Sequence, residues 1–311
     1  MQERHAPPCS ALTIGDLCEL YLNYARTYYR RRATREPTGE HENIASVLKR
    51  WRTFAGEQND ASRVTRHQLR AWLDQLAADD LTRAYCNACL SRVRRMIRWA
   101  ADLDYLPTSV LAEVQLVRPL PAHRSAAREP APREPAVLEH VRSSLAFMPR
   151  HARDVVHLLM LTGARVSEII EATTRDVVDD EQGRRLVPRQ HKTAHHNRHR
   201  IIPLNAAAWT IIEPRLKPFC PNDPLFPAPR GSRKQCYSTD ALRAAITRAC
   251  ARAGVARYTP HQIRHAVARI VRQQRGLDAS CSLLGHSSVT QTEDYAPTPA
   301  LAAIEASEVL T

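Results

Sequence analysis

Tyr295 closes the run Leu284-Gly285-His286-Ser287-Ser288-Val289-Thr290-Gln291-Thr292-Glu293-Asp294-Tyr295. Two arginines stand upstream in distinctive settings, Thr162-Gly163-Ala164-Arg165-Val166-Ser167-Glu168 and His261-Gln262-Ile263-Arg264-His265, with Lys192 between them. A phosphodiester under attack becomes pentavalent and carries negative charge on its nonbridging oxygens. Two guanidinium groups can neutralise that charge through paired, charge-assisted hydrogen bonds. A phenol, with a pKa of about 10, becomes a nucleophile once it loses its proton, and the departing oxygen needs a proton in return. An arginine, a lysine, a histidine, a second arginine and a tyrosine, in that chain order, read as a site that grips one phosphodiester and attacks it with a phenol.

Local context sharpens the arginines. Gly163 reads as the end of one helix and Arg165 as the start of the next, where backbone N–H groups also favour anions. Arg264 follows His261 by three residues, which puts both on one helical face. His261 is thereby placed to assist proton transfer beside the phosphate. Glu168, three residues after Arg165, reads as a group that orients the site rather than one that touches substrate. Taken singly, each would be an ordinary surface arginine, packing tyrosine or solvated lysine; the ordered set is what distinguishes them.

The chain has 311 residues, enough for one or two domains, and 43% hydrophobic residues, enough to bury a core. Its net charge of +13 and pI of about 9.8 favour a polyanionic partner, of which nucleic acid is the commonest. Residues 1–120 hold 18 Lys and Arg against 14 Asp and Glu, whereas residues 121–311 hold 27 against 18, so the second part is expected to make the tighter phosphate contacts. Only four of the 45 basic residues are lysines (Lys49, Lys192, Lys217 and Lys234), which makes Lys192 easier to single out. The eight cysteines form no disulfide-like framework. With no apolar leader and no run of 18 apolar residues, the expectation is a cytoplasmic protein with reduced thiols.

The elements that would position these residues fall into two groups. Helices are predicted at about Thr13–Tyr29, Glu40–Phe54, from Thr65 (with Thr65-Arg66-His67-Gln68 as a capping box) and from Thr82 to about Ala101. In the last, Leu90, Val93, Ile97 and Ala100 face inward, and Arg92, Arg94, Arg95 and Arg98 supply charge. These make a small four-helix domain over 11–116. Residues 117–135 contain five prolines and read as a semi-extended linker. Beyond it, helices are predicted at about 136–147, 151–162, 165–172, 205–216, 238–253, 260–275 and 278–284, then a short one around Tyr295 and a last one over about 299–309. Short β-like runs at 185–188 and 200–204 flank a basic turn and predict a small hairpin carrying Lys192. The fold class is therefore mainly α with a small β-hairpin in the second domain.

The motifs resemble those of the tyrosine recombinases, the phage-type integrases, in kind and in order over most of the chain. The resemblance implies a two-domain clamp around duplex DNA, with a helical core-binding domain at 11–116 and a catalytic domain at 136–311. It makes Arg165 and Arg264 the two catalytic arginines and Lys192 the general acid toward the leaving 5′ oxygen. His286 falls at the family's second histidine-or-tryptophan position, donating to a phosphate oxygen, and Tyr295, nine residues on, falls at the nucleophile, giving a 3′-phosphotyrosine and a free 5′ hydroxyl. The bond energy is kept in the covalent intermediate, so rejoining needs no ATP. The family's assembly implies four protomers on two DNA sites, with accessory DNA-binding proteins as further partners and no membrane. It is also consistent with a mobile element.

No cofactor is called for, because arginines and lysine do the charge work that a metal does elsewhere. Cys86-x-x-Cys89 lacks a second ligand pair and reads as two small core residues. His191, His195, His196 and His199 are loosely spaced in strongly positive surroundings and suit DNA-backbone contacts better than a metal. Two other readings share parts of this pattern: a type IB topoisomerase-like nicking-closing enzyme, and a non-catalytic DNA-binding regulator on the same fold.

Overall fold

The computed structural model describes residues 12–30, 38–132, 134–188, 200–216, 220–228 and 236–285. The chain divides into two compact units, Met1–Pro132 and Arg133–Thr311.

The first unit is built from α1 (Ile14–Tyr28), α2 (Gly39–Ala55), α3 (Arg66–Ala78), α4 (Arg83–Asp102) and α5 (Thr108–Gln115). Threonine side chains cap three of them. Thr13 and Asp16 form a reciprocal capping box on α1, and Thr82 accepts from Tyr85 N–H at the start of α4. At α3 the expected box is half formed. Thr65 accepts from Gln68 N–H, but the Gln68 side chain donates instead to the Ala55 carbonyl, tying α3 to the end of α2.

Helical spacing then fills the interior. Leu17 and Tyr21 of α1, Leu48 and Trp51 of α2, Leu69, Trp72 and Leu73 of α3, and Leu90, Val93 and Ile97 of α4 are all buried. Trp51 and Trp72 meet edge to face at 5.1 Å. Each such side chain contributes about 1.5–3 kcal/mol of burial. Cys86 and Cys89 lie inside this core, and burial pushes both thiols up from their ordinary pKa.

Two features differ from expectation. A fifth helix, α5, covers 108–115, and the first unit's packing runs past residue 116: Val117, Leu120 and Ala127 join the same core. The arginines of α4 are also less outward than their pattern suggests. Arg92 and Arg95 both pair with Glu40, at 2.9 and 2.7 Å, and Arg94 donates to the carbonyls of Val114 and Gln115. They lock the unit's own helices together.

The second unit centres on α7 (Arg150–Thr162), which packs against α6 (Leu138–Leu145), α8 (Val166–Ile170), α9 (Ala206–Ile212), α10 (Thr239–Ala253) and α11 (Pro260–Leu284). Being surrounded, α7 buries Ala152, Val155, Val156, Leu158 and Leu159 together. The two expected helices at 260–275 and 278–284 are the two halves of α11, separated by Gly276 at φ 86°. Three two-residue strands form an antiparallel sheet: β1 (Val177–Val178), β2 (Arg185–Leu186) and β3 (Ile202–Pro203). The expected β2–β3 pairing is present, with Leu186 opposite Ile202; β1 adds a strand that was not expected. The turn at 189–199 and the helices expected around Tyr295 and over 299–309 lie outside the described residues. Among the described residues, no helix is long and apolar enough to cross a membrane.

Candidate active site

The site's framework begins where α7 stops. Gly163 takes the left-handed conformation (φ 62°), and its N–H closes on Leu159 O at 3.0 Å. Thr162 donates to Leu158 O at 2.6 Å and accepts from Ala164 N–H. The chain turns and Arg165 becomes the N-cap of α8, with extended backbone (φ −73°, ψ 146°). A side chain at Gly163 would strike the wall of α11: its Cβ would lie 3.0 Å from Val267 Cγ1 and 3.2 Å from Leu284 Cδ2.

Glu168 sits one turn into α8 and is 1% exposed. Its Oε2 accepts from Arg165 N–H at 2.8 Å and its Oε1 from Arg165 Nη1 at 2.9 Å. It also pairs with Arg200 Nε, 3.4 Å from Oε1. Burial alone would raise the pKa of this carboxyl. The charge of Arg200 and the N–H and guanidinium of Arg165 outweigh burial and hold it below the ordinary carboxylate range. Glu168 thus grips Arg165 by backbone and side chain at once.

Arg264 is among the most buried large side chains, 2% exposed on α11. Its Nη1 donates to Gly163 O and its Nη2 to Leu284 O, each at 2.8 Å. The guanidinium therefore joins the Arg165 turn to the last residue of α11, two positions before His286 in sequence. Arg165 remains a quarter exposed beside it.

His261 lies in the first turn of α11. That turn is fixed by Thr259, which accepts from Gln262 N–H at 3.3 Å while the Gln262 side chain accepts from Thr259 N–H at 2.9 Å. His261 is exposed where Arg264 is buried, so the shared helical face runs from rim to interior. His265, next to Arg264, meets the His261 ring edge to face at 4.6 Å and is itself buried.

The structure thus brings together Arg165, Glu168 and Arg264, with His261 on the same helix as Arg264. Lys192, His286 and Tyr295 lie outside the described residues, as do His191, His195, His196 and His199. Sequence reasoning missed Arg200. Strand alternation puts Arg200 on the side of Ile202 rather than Ile201, but with two isoleucines in a row only the structure shows which side is inward: Ile202 is fully buried and Ile201 is 50% exposed. Among the described residues, no group of three or more His, Cys, Asp or Glu is arranged to hold a metal.

Residues 136–299 match the model of the Phage integrase family, more than half of the chain. The chain belongs to that family. Solved structures agree in fold. The lambda integrase tetramer bound to a Holliday junction is 18% identical with a TM-score of 0.64, covering 92% of this chain and 78% of its own. The Tn1549 transposon integrase in complex with a circular intermediate DNA is 16% identical with a TM-score of 0.64, covering 96% and 99%. The XerH site-specific recombinase bound to palindromic difH substrate, in a post-cleavage complex, is 15% identical with a TM-score of 0.67, covering 99% of each chain. By sequence, no curated protein matches the chain.

Proposed function

We propose that this chain is a site-specific DNA recombinase that cleaves and rejoins duplex DNA through a 3′-phosphotyrosine intermediate, acting in integration or excision. The observation that carries the reading is that the family match spans all six proposed catalytic positions, Arg165, Lys192, His261, Arg264, His286 and Tyr295, in one segment. Arg165 and Arg264 neutralise the scissile phosphate, oriented by Glu168. Tyr295 attacks, Lys192 protonates the leaving 5′ oxygen, and His261 and His286 assist in proton transfer and phosphate binding. Attack breaks the bond from phosphorus to the 5′ oxygen and forms one to the tyrosyl oxygen. A 5′ hydroxyl of the partner strand then reverses the step, so strand energy is conserved without ATP. No cofactor takes part.

The first unit serves as the core-binding domain over 11–116, residues 117–135 link it to the second, and 136–311 form the catalytic domain. Division of the chain at Pro132 supports two domains, with Val117, Leu120 and Ala127 packed in the first, so that the link proper lies near the end of this segment. The partner is double-stranded DNA, held through phosphates and therefore salt-sensitive. Four protomers act on two sites, as the lambda integrase tetramer on a Holliday junction suggests, together with accessory DNA-binding proteins. The likeness to the Tn1549 integrase supports a mobile-element setting. The protein works in the cytoplasm. Neither the nicking-closing enzyme nor the non-catalytic regulator is favoured by the family match or the fold.

The test is recombination itself. Purified protein is incubated with paired DNA segments taken from either side of its gene, without ATP, and products are sequenced across the junction. Reciprocal strand exchange at one fixed position is the expected result. Nicking and relaxation at many positions, with no exchange, would favour the topoisomerase-like reading instead.

A further inference from the structure

Arg200 is 5% exposed, yet it is a charged residue at the foot of a two-residue strand. Burying a charge is costly unless it is paired and its donors are satisfied. Arg200 has partners in three places through Nε and Nη1, while its buried Nη2 has no hydrogen-bond partner among the described residues. Its Nε faces Glu168 on α8, 3.4 Å from Oε1, and its Nη1 donates to Ile201 O and to Leu283 O, each at 2.9 Å. Leu283 and Leu284 are the last two residues of α11, so Arg200 holds one terminal carbonyl and Arg264 the next. Gly285 closes over the group: with φ 64°, a Cβ there would fall 2.9 Å from both Cδ and Nη1 of Arg200.

The Glu168 carboxylate is thus shared between two arginines. Arg165 receives its orientation from that carboxylate, and the carboxylate is held from the other side by Arg200. A planar fork can serve Glu168 and a main-chain carbonyl together, whereas an ammonium is a single point of charge. With 4% of its side chain exposed, Arg200 does not reach DNA itself.

We propose that Arg200 is a positioning residue for DNA cleavage: by fixing the Glu168 carboxylate and the Leu283 carbonyl at once, it sets Arg165 and the end of α11 in the mutual register that the reaction requires. This rests on the recombinase reading given above. It assigns a role to the strand that follows the Lys192 turn, one that operates through the arginine clamp rather than through proton delivery.

The experiment compares Arg200→Lys, Arg165→Lys and the double variant with wild type. Single-turnover cleavage of a nicked suicide substrate is measured at saturating protein, with DNA affinity and thermal unfolding measured alongside. Arg200→Lys is expected to bind DNA within about twofold of wild type but to cleave about ten- to a hundredfold more slowly, the scale of a misplaced catalytic group. In the Arg165→Lys background the same change should cost less than about threefold, because both act on one group. A folded Arg200→Lys that cleaves within twofold of wild type overturns the proposal. So does an equal loss in both backgrounds, which would mark a support unconnected to Arg165. If Arg200→Lys does not fold, Arg200→Met combined with Glu168→Gln leaves no buried charge uncompensated. That pair should bind DNA and cleave slowly, and an undiminished rate overturns the proposal. A wild-type protein that forms no adduct would instead remove the recombinase reading beneath it.

Discussion

Arg264 donates to the carbonyl oxygen of Gly163, 101 residues earlier in the chain, at 2.8 Å. The same guanidinium holds Leu284 O at the other end of its own helix. One side chain therefore sets the spacing between the turn that carries Arg165 and the segment that leads to His286 and Tyr295. In the proposed chemistry Arg264 is both a phosphate-clamp arginine and a structural tie, and its replacement should show both losses.

Arg264→Ala should lower single-turnover cleavage by at least about 10²-fold, as expected for removing a transition-state donor. It should also destabilise the folded protein, because each buried carbonyl left unsatisfied costs about 1–3 kcal/mol. Urea denaturation and cleavage kinetics on one preparation check both. Full stability with lost activity would separate the two roles, and full activity would remove Arg264 from the site.

Gly163 and Gly254 both cap helices in the left-handed conformation, at φ 62° and 65°. A Cβ at Gly254 meets nothing within 4 Å, whereas one at Gly163 lies 3.0 Å from Val267 Cγ1. Gly254→Ala should therefore cost only the conformational strain, about 1–2 kcal/mol. Gly163→Ala should cost more and should also slow cleavage. Equal urea midpoints for the two variants would mean that α11 yields easily at this contact.

Glu168 carries a pH signature. Its carboxyl is held below the ordinary range although burial opposes this, since Arg200 and Arg165 prevail. A depressed folded-state pKa gives stability that is fully present above the unfolded value, about 4.3, and is lost as pH falls through the folded value. Breaking a buried ion pair costs about 3–5 kcal/mol. Glu168→Gln should thus be less stable than wild type by about that amount at pH 7, and the gap should narrow below about pH 4. A gap that stays constant from pH 7 to pH 3.5 in urea titrations would show that the ionised carboxylate is not what stabilises this corner.

Much of this framework was legible in the sequence because its signals are local. Thr13, Thr65 and Thr82 announce their helices within four residues, Gly163 marks the end of α7, and Gly276 divides α11 where the helical pattern lapses. What escaped depends on partners distant in the chain. Arg200 answers Glu168 from 32 residues away, and Arg92 and Arg95 answer Glu40 from 52 and 55. Nothing beside these residues distinguishes an internal tie from a solvated charge. Helix α5 escaped for another reason: eight residues with only Val110 and Val114 buried make too short an apolar stripe to stand out.

Lys192 should deliver the proton to the leaving 5′ oxygen. Lys192→Ala should then slow cleavage of ordinary DNA far more than cleavage of a substrate with sulfur at the 5′-bridging position, since a thiolate leaves without protonation. Arg165 and Arg264 variants should stay defective on both substrates, because they stabilise phosphate charge whichever atom departs. A Lys192→Ala defect of equal size on both would make its role electrostatic and turn attention to His261 as the acid.

The covalent link is the centre of the account. Wild type and Tyr295→Phe are incubated with a nicked suicide substrate, resolved on a denaturing gel, and the adduct is digested and mapped by mass spectrometry. A DNA 3′-phosphate on the peptide containing Tyr295 is expected in the wild type, and no adduct but unchanged DNA binding for Tyr295→Phe. An adduct of equal yield from the phenylalanine variant, or one mapped to another residue, would contradict it.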